Sequence, residues 1–190
     1  MRISFPLFNT ERQHDFVRIY DGQSASSDLL LLEASGGLYY GPYNFSVVSS
    51  TNQMLVVFTS DSTNDNRYYS GFYASYSSCT VLTSNNGAIS SPNYPDDYND
   101  LDSVCWMISQ PDDHVVKLSF NSFWTDRDND FVRVFDGNST NSPLLLSVSG
   151  NTRPSDVTSS YHQMLVVFSS DDANVRSGFE AIFQSLLLTT

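Results

Sequence analysis

Two sets of acidic side chains stand at matching places in this 190-residue chain: Glu11, Asp15 and Asp61, then Asp126, Asp130 and Asp171. In each set the first two acids flank a connection of three residues, Arg127-Asp128-Asn129 in the second, so their carboxylates can meet. Converging carboxylates repel one another and hold their protons unless a positive charge sits between them. A hard cation meets that demand, and Ca2+, at ~2.3–2.6 Å from its oxygen ligands, suits such a mixed set. Asn64 and Asn174, each three residues past the last acid of its set, offer an amide oxygen. Tyr98 is a candidate neighbour of the second set. The competing reading is plainer, since Asp is frequent in turns, where it bonds backbone or water.

Catalysis finds less support. His14, His114 and His162 have no Ser or Cys beside them in a nucleophile motif, and are expected to be solvated surface histidines. Metalloprotease, nucleophile-elbow and phosphate-loop patterns are absent. The acid sets are the only candidates for glycoside chemistry, but they repeat in loops with no cleft-forming insertion nearby. The chain is therefore expected to bind rather than catalyse. Trp124, close to the second acid set, is a candidate partner contact, and Tyr39-Tyr40-Gly41-Pro42-Tyr43 a candidate protein or carbohydrate surface.

The elements that position these residues come in two copies. Asp15-Phe-Val-Arg-Ile-Tyr-Asp-Gly22 recurs as Asp130-Phe-Val-Arg-Val-Phe-Asp-Gly137. Gln53-Met-Leu-Val-Val-Phe58 recurs as Gln163-Met-Leu-Val-Val-Phe168, and Ser70-Gly-Phe72 as Ser177-Gly-Phe179. The separation shrinks along the chain, so the second copy has shorter loops. Residues 79–118 have no counterpart ahead of Ile3. The first copy, 1–78, is therefore expected to be a partial module, 79–185 a whole one, and 186–190 a tail or the start of a linker. Within the copies the apolar period is two: Val116, Leu118 and Phe120 point one way, with Lys117 and Ser119 outward. Short strands separated by turns such as Asp21-Gly22 and Asp136-Gly137 predict an all-β, antiparallel, jelly-roll-like sandwich.

Charge narrows the partners. Nine basic and 21 acidic residues leave a net charge of −12, which disfavours nucleic acid and anionic membrane surfaces and favours a cation or a basic protein. No apolar run approaches a membrane span, so direct membrane insertion is not expected. The first residues lack the apolar core of a secretory signal, so a secreted parent would carry its signal outside this stretch. Cys79 and Cys105, by themselves, are compatible with a bridge or with two free thiols.

These motifs are similar to those of the CUB family. The resemblance spans nearly the whole chain. It runs from Cys79 through Gly87-Ala-Ile-Ser-Ser-Pro-Asn-Tyr-Pro-Asp-Asp-Tyr98 and Cys105-Trp106 to Asp130-Phe-Val-Arg-Val-Phe-Asp-Gly137, Phe168-Ser-Ser-Asp171 and Gly178-Phe179. It implies tandem sandwiches of two five-stranded antiparallel sheets, in extracellular proteins that usually carry other domains. It also implies a Cys79–Cys105 bridge, while the family's frequent second cysteine pair is replaced by Asn129 and Ser149. An extracellular location gives the sequons at Asn44 and Asn138 a meaning as glycosylation sites. In calcium-binding CUB modules the ligand positions match Glu11, Asp15 and Asp61, then Asp126, Asp130 and Asp171, with Tyr98 ordering the loop. Asp126 departs from the usual Glu, and the connection to Asp130 is short. The expected role is a Ca2+-assisted module presenting acids to the Lys or Arg of a partner protein. The alternatives are a metal-free spacer in a CUB array and a lectin-like, glycan-binding module.

Overall fold

The structure, a computed structural model, describes residues 1–37, 45–62 and 68–188. The chain forms two compact units, Met1–Ser78 and Cys79–Thr190. Among the described residues the regular structure is β, apart from a 3-10 turn at Ser27–Leu29. Among the described residues, no helix is long and apolar enough to cross a membrane.

The first unit contains β1 (Arg2–Asn9), β2 (Phe16–Asp21), β3 (Leu30–Ala34), β4 (Phe45–Val48), β5 (Met54–Thr59) and β6 (Gly71–Ser77). They form two antiparallel three-stranded sheets, in the orders β4-β1-β6 and β3-β2-β5. Side chains alternate across each pleated strand, so Ile3 and Phe5 of β1 and Val17 and Ile19 of β2 share one core with Phe8 and Val47.

The second unit contains β7 (Thr80–Leu82), β8 (Asn86–Ser90), β9 (Ser103–Ser109), β10 (His114–Trp124), β11 (Phe131–Phe135), β12 (Leu144–Val148), β13 (Val157–Thr158), β14 (Gln163–Ser169) and β15 (Gly178–Leu187). Its sheets run β13-β10-β15-β8 and β12-β11-β14-β9-β7. The expectation of two five-stranded antiparallel sheets is thus refined to four and five strands among the described residues. One pair is parallel: β7 runs alongside β9 with Thr80 opposite Trp106. The reason is local. Cys79, just before β7, is bridged to Cys105 of β9 (Cα–Cα 4.8 Å), so β7 lies beside β9 while β8 passes into the other sheet. β15 also runs past residue 185, because Leu186 and Leu187 pair with Val115 and His114.

The period-two reading holds along β10 up to Phe120, and then a bulge shifts the register between Phe120 and Ser122. The extra residue reverses which side chains face inward, burying Phe123 and leaving Trp124 51% exposed. In β14 the expected inner face, Met164, Val166 and Phe168, is buried, but so are Leu165 and Val167. β14 is flanked by β11 and β9, which place Phe135 and Met107 beside Leu165, and Arg133 and Cys105 beside Val167. Gly178 opens β15 at φ +77°, where a Cβ would lie 1.8 Å from Ser91 Oγ, so both backbone and space call for glycine.

Candidate cation site

In the first unit, β1 ends at Asn9 and a tight loop returns the chain to β2. Thr10, fully buried, fixes that loop. Its N–H donates to the Gly36 carbonyl (3.2 Å), its Oγ1 accepts from the Gly36 N–H (3.0 Å) and donates to the Asp15 carbonyl (3.3 Å). The turn closes with the Asp15 N–H on the Glu11 carbonyl (2.9 Å) and the Glu11 N–H on Asp15 Oδ2 (3.2 Å). Asp61 follows the end of β5 and meets the same corner. One oxygen each from Glu11, Asp15 and Asp61 lie within 4.8 Å of one another. Glu11 is only 5% exposed, and its Oε2 is buried with no hydrogen-bond partner. His14 Nδ1 lies 3.0 Å from Asp61 Oδ2, so this histidine, expected to be merely solvated, touches the acid set. Asn64 lies outside the described residues.

The second unit builds the same frame. Thr125 N–H donates to the Gly150 carbonyl (2.8 Å), and Thr125 Oγ1 accepts from the Gly150 N–H (3.1 Å) and donates to the Asp130 carbonyl (2.9 Å). Sequence reasoning missed these positioning residues, although a signal was present: each first acid is preceded by Thr, and both copies carry Ser-Gly at 35–36 and 149–150. Ser149 takes the Asp128 N–H on its Oγ (2.9 Å), as Ser35 takes that of Gln13 (2.7 Å).

Asp126, Asp130, Asp171 and Tyr98 do come to one corner. Tyr98, 1% exposed, donates its hydroxyl to Asp130 Oδ2 and accepts the Asp126 N–H (3.0 Å), while the Asp171 N–H donates to Asp130 Oδ1 (2.7 Å). Burial raises the Asp130 carboxyl above its ordinary range, the bonds from Tyr98 and the Asp171 backbone opposing it. Burial likewise raises Asp171, and burial followed by the bond to Asp130 raises the Tyr98 phenol. The Asp126 carboxylate turns to Arg176 Nη2 (3.0 Å) and Asn129 Nδ2 (2.8 Å). Among the described residues, a converging group of three acids forms in the first unit and not in this one. Asn174 is exposed at φ 65°, its carbonyl accepting from Arg176 Nη1 (3.1 Å).

The other expected residues have plain positions. Asn138 is half-buried in the loop after β11, whereas Asn44 and the Tyr39–Tyr43 cluster lie outside the described residues. Trp124 lines a cavity of about 170 Å³ with Asp126, Arg127, Asn151 and Arg176. A larger cleft of about 380 Å³ adjoins Asp15 in the first unit, lined by Asn9, Thr10, Phe58 and Tyr68.

Comparison with known proteins completes these observations. The family description "CUB domain" matches residues 1–76 and 78–183. Human Tolloid-like protein 1 is 34% identical over 177 residues, covering 90% of this chain, and the chain spans 17% of that relative's length. The CUB1-EGF-CUB2 domain of human MASP-1/3 superposes with a TM-score of 0.52 at 18% identity, covering 97% of this chain and 88% of the other. The MASP-1 CUB2 domain bound to Ca2+ gives 0.51 at 20% identity, over 55% of this chain and 96% of the other. Both likenesses bear on the fold.

Proposed function

This chain belongs to the CUB domain family, and from that premise we propose that it binds a partner protein with help from a Ca2+ held by Glu11, Asp15 and Asp61. CUB domains are extracellular, non-catalytic modules of protein interaction. The observation that carries the calcium reading is Glu11 Oε2, buried and unpartnered within a set of three carboxylates. Leaving such an oxygen without a partner costs free energy that a cation offsets. The donor set fits: all oxygen, two Asp and one Glu, on a loop already fixed by Thr10. A likeness to the Ca2+-bound MASP-1 CUB2 domain supports it. The ion supplies a fixed positive charge. The carboxylates around it keep outward lone pairs in one geometry, ready to accept from a partner's Lys or Arg. A net charge of −12 favours such a partner.

The test is a calcium titration of the full chain. At ~100-fold above Kd, Ca2+ should stabilise the folded form by about 2.7 kcal/mol, seen as a higher Tm. Glu11→Gln and Asp61→Asn should abolish the shift. Binding to an immobilised Lys-rich peptide should vanish in EDTA and weaken with salt. A Tm indifferent to Ca2+ would leave the spacer reading in its place.

A glycan-binding reading has one observation of its own, the exposed Trp124 ring beside the Arg127- and Asn151-lined cavity. If it holds, glycan-array binding will survive EDTA and fall at least ~10-fold in Trp124→Ala, the loss of one aromatic anchor. Secretion, glycosylation at Asn138 and further domains of a longer parent protein belong to the same proposal.

A further inference from the structure

We infer that in the second unit Arg176 takes the place a metal ion would occupy, so that the corner of Asp126, Asp130 and Asp171 is closed by its own guanidinium and binds no Ca2+. The first unit serves here only as a comparison, and its occupancy by Ca2+ rests on the function proposed above.

The two corners share a frame and differ in their charges. Both have the Thr–Gly clamp, the three acids in the same order and the Ser-held turn. Immediately before Ser-Gly-Phe, however, the first unit carries Tyr69 and the second Arg176. Arg176 reaches Asp126 Oδ1 at 3.0 Å, with the Asp126 side chain 12% exposed. Its Nη1 also donates to the carbonyls of Asn174 (3.1 Å) and Val175 (2.8 Å), so three bonds pin the guanidinium at the mouth of the corner. Asp126 Oδ2 is taken by Asn129, and both oxygens of Asp130 are taken by Tyr98 and the Asp171 N–H. None of these three acids has a buried oxygen without a partner, in contrast to Glu11. A second cation would meet a like charge already in place, and Asp126 is one methylene shorter than the Glu of the first unit. Arginine stays charged at any accessible pH, so the closure is permanent.

The experiment silences the first unit with Glu11→Gln/Asp15→Asn in the full chain and titrates Ca2+ by calorimetry and Tb3+ luminescence. With Arg176 present, no binding is expected up to millimolar Ca2+. Adding Arg176→Gln should create a site with Kd of roughly 10⁻⁴–10⁻³ M, the range of extracellular modules. The same substitution should lower Tm in EDTA, since it strands a buried carboxylate, and Ca2+ should restore it. Arg176→Lys should remain metal-free. Calcium binding in the silenced chain that retains Arg176 overturns the inference, and so does an Arg176→Gln variant that folds and gains no site. The first of these decides even if Arg176→Gln fails to fold. Failure of the first-unit reading looks different: the unmodified chain would bind no Ca2+ at all, while Arg176→Gln alone would still gain a site.

Discussion

Replacing Phe179 by alanine will destabilise the second unit by about 3–5 kcal/mol, enough to leave it marginal or unfolded. Phe179 is fully buried where the two sheets meet, and its ring packs on Trp106, Phe120, Phe123 and Phe168 at centroid distances of 5.8, 5.8, 6.5 and 5.9 Å. Removing it therefore opens a cavity against four aromatic rings, and rings held by paired strands on both sheets cannot collapse into it. The repeat provides a control within the same chain. Phe72 occupies the matching position in β6 and touches Phe5, Phe8 and Phe58, but it is only partly buried. Phe72→Ala should cost less. Urea unfolding followed by Trp fluorescence, which reports only the second unit because Trp106 and Trp124 both lie there, would measure the Phe179 effect. A shift worth less than ~1 kcal/mol would show that the sheets are not joined through this ring.

Breaking the Cys79–Cys105 bridge should remove about 3.5 kcal/mol on the chain-entropy account, given a sequence separation of 26. The paired Cys79→Ser/Cys105→Ser change is the right probe, because a single substitution leaves a reactive thiol. The bridge anchors the parallel strand β7, which has three residues and, among the described residues, a single neighbour, β9. Without it, β7 should fray, and its amides should lose hydrogen-exchange protection before those of β14 do. An unchanged Tm, or a β7 as protected as before, would sink this account and assign the register to backbone pairing alone.

Much of the site was legible in the sequence because its chemistry is local. Glu11 and Asp15 are separated by one tight turn, as are Asp126 and Asp130, so spacing was enough to place each pair on one loop. The return of Asp61 and Asp171 to those turns follows from a strand that ends beside them. Thr10 and Thr125 repeat ahead of each first acid, but what they do was not legible, because their hydroxyls bond the backbone of Gly36 and Gly150, 26 and 25 residues away, and only the fold brings those together. Arg176 was overlooked for another reason: its partner Asp126 is 50 residues away, and only the folded sheet order makes them neighbours.

The acid sets themselves, their repetition, the strand alternation and the family are all properties of the sequence. What each set contacts was decided by tertiary structure. The clearest case lies beside the acids, where Met54-Leu-Val-Val-Phe58 and Met164-Leu-Val-Val-Phe168 are identical. Phe168 is fully buried and Phe58 is 48% exposed. β14 pairs with a strand on each side, whereas β5, among the described residues, pairs with β2 alone. The two corners differ through the fold as well: Arg176 reaches Asp126 in one, and Glu11 Oε2 is left without a partner in the other. Local sequence sets where a carboxylate sits, but which side chain meets it depends on which distant residue the fold delivers to it.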